Sequence, residues 1–220
     1  MFLPKVLASL IAVALPINCV SATHSLPDGN LIVGYAPTCN ETQIVQSAED
    51  GVNVIIWFSV NLAANSTIEN SLDFECIARV AHTLRQKDLP TAHLISVGGW
   101  DAPHPDTSLS GDEWFQVWQK WNLDNAASVP ADLGWGGFDG IDWDLEGNDK
   151  ISSEWNHFTV DCIDLVGTMS QAAKAAGERM PHSSTRSLPK RAPSICGAMF
   201  RLRRQFSAAT ELLGRDFKYL

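Results

Sequence analysis

Residues Phe138-Asp139-Gly140-Ile141-Asp142-Trp143-Asp144-Leu145-Glu146-Gly147 limit what this chain can fold into more tightly than any other stretch. Successive side chains of a β-strand point to opposite faces, so Asp142, Asp144 and Glu146 share one face while Ile141, Trp143 and Leu145 share the other. Neighbouring acids along such a line stand about 6 to 7 Å apart, two residues at about 3.3 Å each. Like charges crowded in this way raise at least one pKa, leaving one carboxyl protonated near neutral pH while its neighbours ionise. That division of labour is what glycoside hydrolysis requires.

Two plainer readings compete. Asp142-x-Asp144-x-Glu146-Gly147 superficially matches the start of a calcium loop, but Ser153 stands at the twelfth position in place of Glu and the intervening residues are bulky and apolar. The acids could instead merely face solvent, yet a strand this acidic on one face and this apolar on the other usually lines a cavity. The spacing Asp139, Asp142, Asp144, Glu146 resembles the signature of glycoside hydrolase family 18, the chitinases and their relatives. Ser96-x-Gly98-Gly99, about 45 residues earlier, is similar to the same family's second signature, carried on its third barrel strand.

The resemblance implies roles at matching positions. Glu146 is the expected general acid. Asp144 is expected to orient the substrate's 2-acetamido group, whose carbonyl oxygen attacks the anomeric carbon. Asp142 would share a proton with Asp144, and Asp139 would be structural. Tyr35, Phe58 and Trp100 match positions that line the sugar-binding cleft, although apolar strands need core aromatics in any case. The implied ligand is chitin or another N-acetylglucosamine-containing oligosaccharide, with no cofactor.

The remaining pattern alternates strand and helix. Residues 31–35, 52–58, 93–100 and 137–146 read as strands. A short helix is expected around Gln43 to Ala48, and a second from Asp73 with Ile77, Val80, Ala81 and Leu84 on one face. A third opens at the capping box Ser110-x-x-Glu113 with Trp114, Val117, Trp118 and Trp121. The fourth is expected from Ser152 or Ser153 as N-cap to Gly177 as C-cap, with Phe158, Cys162, Leu165, Val166 and Met169 as its apolar face. Four strand-helix units predict a parallel sheet of the (β/α)8 TIM-barrel type, with only the first half recognisable. The informative residues sit at strand C-terminal ends, where barrels place their sites.

The termini differ from this core. Lys5, the apolar run Val6 to Ile17 and the small residues Val20-Ser21-Ala22 have the layout of a secretory signal peptide, residues 1–22. Secretion would leave Cys39, Cys76, Cys162 and Cys196 in an oxidising compartment with three possible pairings, and expose the sequons at Asn40 and Asn65 to glycosylation. Residues 1–178 carry 7 Lys and Arg against 23 Asp and Glu, whereas residues 179–220 carry 9 against 2. The chain therefore divides into a catalytic half-domain, residues 23–177, and an irregular basic tail, residues 178–220. In the tail, Met199, Leu202, Phe206, Ala209 and Leu213 would form one face of a short amphipathic helix. The family's later strands have no counterpart there, so a truncated or frame-shifted product is expected, or two chains completing a barrel together. The acidic first part offers nothing to nucleic acid, and no run is long enough to span a membrane.

Overall fold

The computed structural model describes residues 30–177. The signal-like segment, Cys196, the basic tail and its expected helix lie outside the described residues.

The described chain is mixed α/β. Its parallel strands are β1 (Val33–Ala36), β2 (Val54–Ala63), β4 (Ala92–Gly99) and β5 (Gly140–Leu145), paired in the order β1-β2-β4-β5. Helices α1 (Glu41–Glu49), α2 (Phe74–Gln86) and α3 (Gly111–Ser128) make the crossovers, and α4 (Val160–Ala175) follows β5. Apart from the short strand that follows β2, parallel strands that are neighbours in space also follow one another along the chain, and among the described residues the sheet does not close on itself.

Each helix starts where the sequence supplies an oxygen for an otherwise unpaired N–H. Asn40 accepts from Gln43 N at 3.2 Å, Asp73 from Cys76 N at 2.9 Å and Thr159 from Cys162 N at 3.1 Å. At α3 the expected capping box is complete, with Ser110 N donating to Glu113 Oε2 at 2.8 Å and Glu113 N to Ser110 Oγ at 3.3 Å. The fourth helix starts later than its sequence suggests. Ser153 Oγ accepts from Trp155 N at 3.3 Å and caps a single 3-10 turn, Glu154–Asn156, so α4 begins only after Thr159.

Strand two also departs from expectation. It does not end at Phe58 but continues through a register shift between Trp57 and Val60, then pairs antiparallel with the unforeseen β3 (Thr67–Asn70). Asn65 lies in the intervening turn at φ 59°, exposed, and Asn40 is exposed at the start of α1.

The two faces of the sheet have different contents. Ile55, Trp57, Ile95, Val97, Ile141 and Trp143 face the helices and join Ile77, Leu84, Trp114, Trp118 and Met169 in the main core. On the opposite face Val54, Ile56, Ala92 and Leu94 make a second, smaller apolar cluster. Continuing along that face toward the strand C-termini, the even-numbered positions of β4 and β5 become Ser96, Gly98, Asp142 and Asp144. A disulfide joins Cys39, just before α1, to Cys76 in α2. Cys162 is buried on α4 and is not part of that bridge.

Candidate active site

Register places the acids against the glycine signature. Ser96 pairs with Asp142 and Gly98 with Asp144 across β4 and β5. Asp142 is the most enclosed of the three acids, 6% exposed, whereas Asp144 is half-buried on the same face of β5, and Glu146, also half-buried, lies one residue beyond the end of that strand rather than within it as the sequence suggests.

Asp142 Oδ2 accepts two hydroxyl hydrogen bonds, from Tyr35 Oη at 3.1 Å and from Ser96 Oγ at 3.2 Å. Withdrawal from water pushes its carboxyl up to about 6, and the Tyr35 and Ser96 bonds oppose that rise. Crowding by like charges was the sequence-based reason for a raised carboxyl; at Asp142 the cause is burial. The same cluster acts on Tyr35. Tyr35 as a whole is 42% exposed, but its hydroxyl sits against Asp142; partial withdrawal of that hydroxyl from water first, then the charges of Asp142, Asp144 and Glu146, raise the phenol pKa and keep it a proton donor.

The glycine pair is explained by what lies against it. A Cβ on Gly98 would stand 2.7 Å from the Asp144 carbonyl oxygen, and one on Gly99 would stand 2.3 Å from Phe58 Cζ. Both glycines also have positive φ, 102° and 126°. Gly98 thus lets the Asp144 backbone approach β4, and Gly99 leaves room for the Phe58 ring. The Phe58–Ser59 peptide in this region is cis.

Asp139 stands apart from the other three acids, at the opposite end of β5. Its Oδ2 accepts from His93 N at 2.8 Å while its own N–H donates to His93 O at 2.7 Å, a reciprocal clasp between strands. Burial raises Asp139 to about 6, against the His93 hydrogen bond and the Arg85 charge. Trp57, at the site end of strand two by sequence, is buried on the helix side with Nε1 donating to His93 Nδ1 at 3.1 Å.

Trp100 follows Gly99 and is 43% exposed. It borders an open depression of about 670 Å³ with Asp101, Asn148, Lys150, Ser152 and Trp155. The loops that follow the carboxylates, rather than the carboxylates themselves, line this depression. Trp155, Asn148 and Asn156 carry no recognisable pattern in the sequence; the only hint is that they fall just after the acidic strand.

No protein-family model and no curated protein matches the chain. Solved structures do: the Ostrinia furnacalis Group IV chitinase is 13% identical, with a TM-score of 0.46 over 68% of this chain and 42% of its own. The class V chitinase of Nicotiana tobaccum is 14% identical, with a TM-score of 0.40 over 69% and 42%. A glycoside hydrolase family 18 chitinase variant from Cycas revoluta, solved with (GlcNAc)4, is 19% identical, with a TM-score of 0.38 over 68% and 44%. The chain spans about two fifths of the length of these structures.

Proposed function

We propose that the chain is a chitinase-like glycoside hydrolase that cleaves β-1,4 linkages between N-acetylglucosamine units by substrate-assisted, retaining catalysis. The observation that supports this reading is Asp142, buried and doubly hydrogen-bonded by Tyr35 and Ser96, with Asp144 on the same face of β5 and Glu146 just beyond the strand's end. Glu146 protonates the glycosidic oxygen. Asp144 holds the 2-acetamido group so that its carbonyl oxygen attacks the anomeric carbon, giving an oxazolinium ion that water opens. Asp142 shares a proton with Asp144; its raised carboxyl and two hydroxyl donors suit that exchange. No protein carboxylate serves as nucleophile, which is why an N-acetylated sugar is required.

Phe58 and Trp100 line the sugar path in this reading, and the Cys39–Cys76 disulfide supports a secreted, extracellular protein glycosylated at Asn40 and Asn65. Among the described strands β1 and β5 are outermost, and a second copy pairing at those edges would complete the sheet; gel filtration finding only monomers rules that pairing out. A non-catalytic carbohydrate-binding role is the second reading, favoured by Trp100 and Trp155 flanking a solvent-open depression. The anomeric form of the first product decides the mechanism. Proton NMR of chitotetraose digestion should show the β-anomer first, with N-deacetylated substrate left intact; an α-anomer would overturn the retaining route, and binding without cleavage would favour the second reading.

A further inference from the structure

Glu146 is followed by Gly147-Asn148, and the loop that these residues open is closed by side-chain amides rather than by a helix. Asn156 spans it. Its Oδ1 accepts from Asn148 N at 2.8 Å and its Nδ2 donates to Lys150 O at 2.9 Å, so the side chain acts as an extra peptide unit across residues 147–150. The amide lies so close to Gly147 that a Cβ there would stand 1.7 Å from Asn156 Oδ1. Asn148 makes the second tie. Its Oδ1 accepts from Lys150 N at 2.9 Å, and its Nδ2 donates to Ser153 Oγ at 2.9 Å and to Asp101 Oδ1. Asp101, just beyond the glycine pair and Trp100, returns the contact by donating its N–H to Gly147 O at 3.1 Å. The residue next to Glu146 is therefore fixed on one flank by Asn156 and at its carbonyl by the loop after β4. The partners fix both amide orientations, because each oxygen faces an N–H and each nitrogen an acceptor.

We propose that Asn156 and Asn148 are positioning residues that hold the backbone of Glu146 in register with the β4 loop, so that its carboxyl meets the glycosidic oxygen. This rests on the reading of Glu146 as the general acid. A small displacement of such a group is costly in rate while leaving sugar contacts elsewhere intact.

The test uses the full chain and a fluorogenic chitotrioside. Asn156→Ala should lower kcat about 10- to 100-fold with KM changed less than about 3-fold. Asn156→Asp keeps an acceptor for Asn148 N–H but sets a carboxylate oxygen against Lys150 O, and should lose kcat as Asn156→Ala does. Gly147→Ala should be worse than either, whereas adding Asn156→Ala to it should recover most of that extra loss, because trimming the amide removes its oxygen and carbon from the methyl group's place and leaves only the Asn156 Cα, at 3.2 Å. Asp73→Ala supplies the control for general loss of stability: Asp73 caps α2 by accepting from Cys76 N at 2.9 Å, and its removal should lower Tm without changing kcat. Wild-type kcat in Asn156→Ala, or a loss matched by Asp73→Ala at equal Tm, overturns the proposal while the functional reading stands. A folded wild type without turnover overturns both.

Discussion

Tyr35 Oη and Asp142 Oδ2 are 3.1 Å apart, a hydrogen bond between β1 and β5 that links residues 107 positions apart in the chain. It crosses the inner face of the sheet above the small apolar cluster and brings a phenol to the acidic strand. Ser96 Oγ reaches the same carboxylate oxygen from β4. Both donors favour the ionised form of a carboxyl that burial pushes the other way.

Removing either donor should raise Asp142 further. The kcat/KM profile of the wild type should inflect near pH 6, and in Tyr35→Phe and Ser96→Ala that inflection should move to higher pH. A loss of about 10-fold in rate is expected from each, the equivalent of one hydrogen bond of about 1.4 kcal/mol. An inflection that stays in place in both variants would separate Asp142 from the reaction.

Gly98→Ala and Gly99→Ala should both destabilise, by different routes. At Gly98 the obstacle is backbone, the Asp144 carbonyl oxygen at 2.7 Å, and β4 must shift against β5. At Gly99 the obstacle is the Phe58 ring, which can turn away. With positive φ strain added in both, denaturant unfolding should show losses of about 1–3 kcal/mol, the larger at Gly98. Equal or negligible losses would contradict the close approach.

Buried titrating groups give stability two opposite pH dependences. His93 is held neutral, lowered to about 4 by burial and then by Arg85, so its contribution is full above the ordinary value of 6.5 and is lost as pH falls through 4. Asp142 is raised to about 6 from 3.8, so its contribution is full below 3.8 and is lost as pH rises through 6. His93→Gln should therefore flatten the acid limb between pH 6.5 and 4, and Asp142→Asn should gain on the wild type between pH 4 and 7. Each effect is on the order of 2–3 kcal/mol in unfolding free energy measured across that range. Parallel pH curves for wild type and variants would show that these side chains are not enclosed as described.

The Cys39–Cys76 bridge closes a loop of sequence separation 37 that contains α1, β2 and β3. Replacing both cysteines by serine should cost about 3–4 kcal/mol, chiefly by freeing the unfolded chain. A melting temperature unchanged by the double substitution or by reductant would contradict a bridge in the native protein.

Much of this site is legible in the sequence because it lies on strands. Alternation alone puts Asp142 and Asp144 opposite Ile141 and Trp143, and the glycine pair marks where β4 needs bare backbone. Segments whose form depends on distant partners are not legible. β3 is short and polar at three of its four positions and exists by pairing with the end of β2. Ser153 has the chemistry of a helix N-cap but spends its oxygen on a 3-10 turn. Asp139 finds His93 only once β4 and β5 are side by side. The raised carboxyl at Asp142 reflects enclosure, a property of the folded sheet that residue spacing does not contain.

The central claim is that Glu146 is the proton donor of a glycosidase. Hydrolysis of a fluorogenic chitobioside or chitotrioside by purified full-length protein, beside Glu146→Gln at matched Tm, tests it most directly. Turnover by the wild type that falls about 100-fold or more in the variant is the predicted result. Folded wild type without turnover, or a variant that cleaves as fast as the wild type, would contradict it.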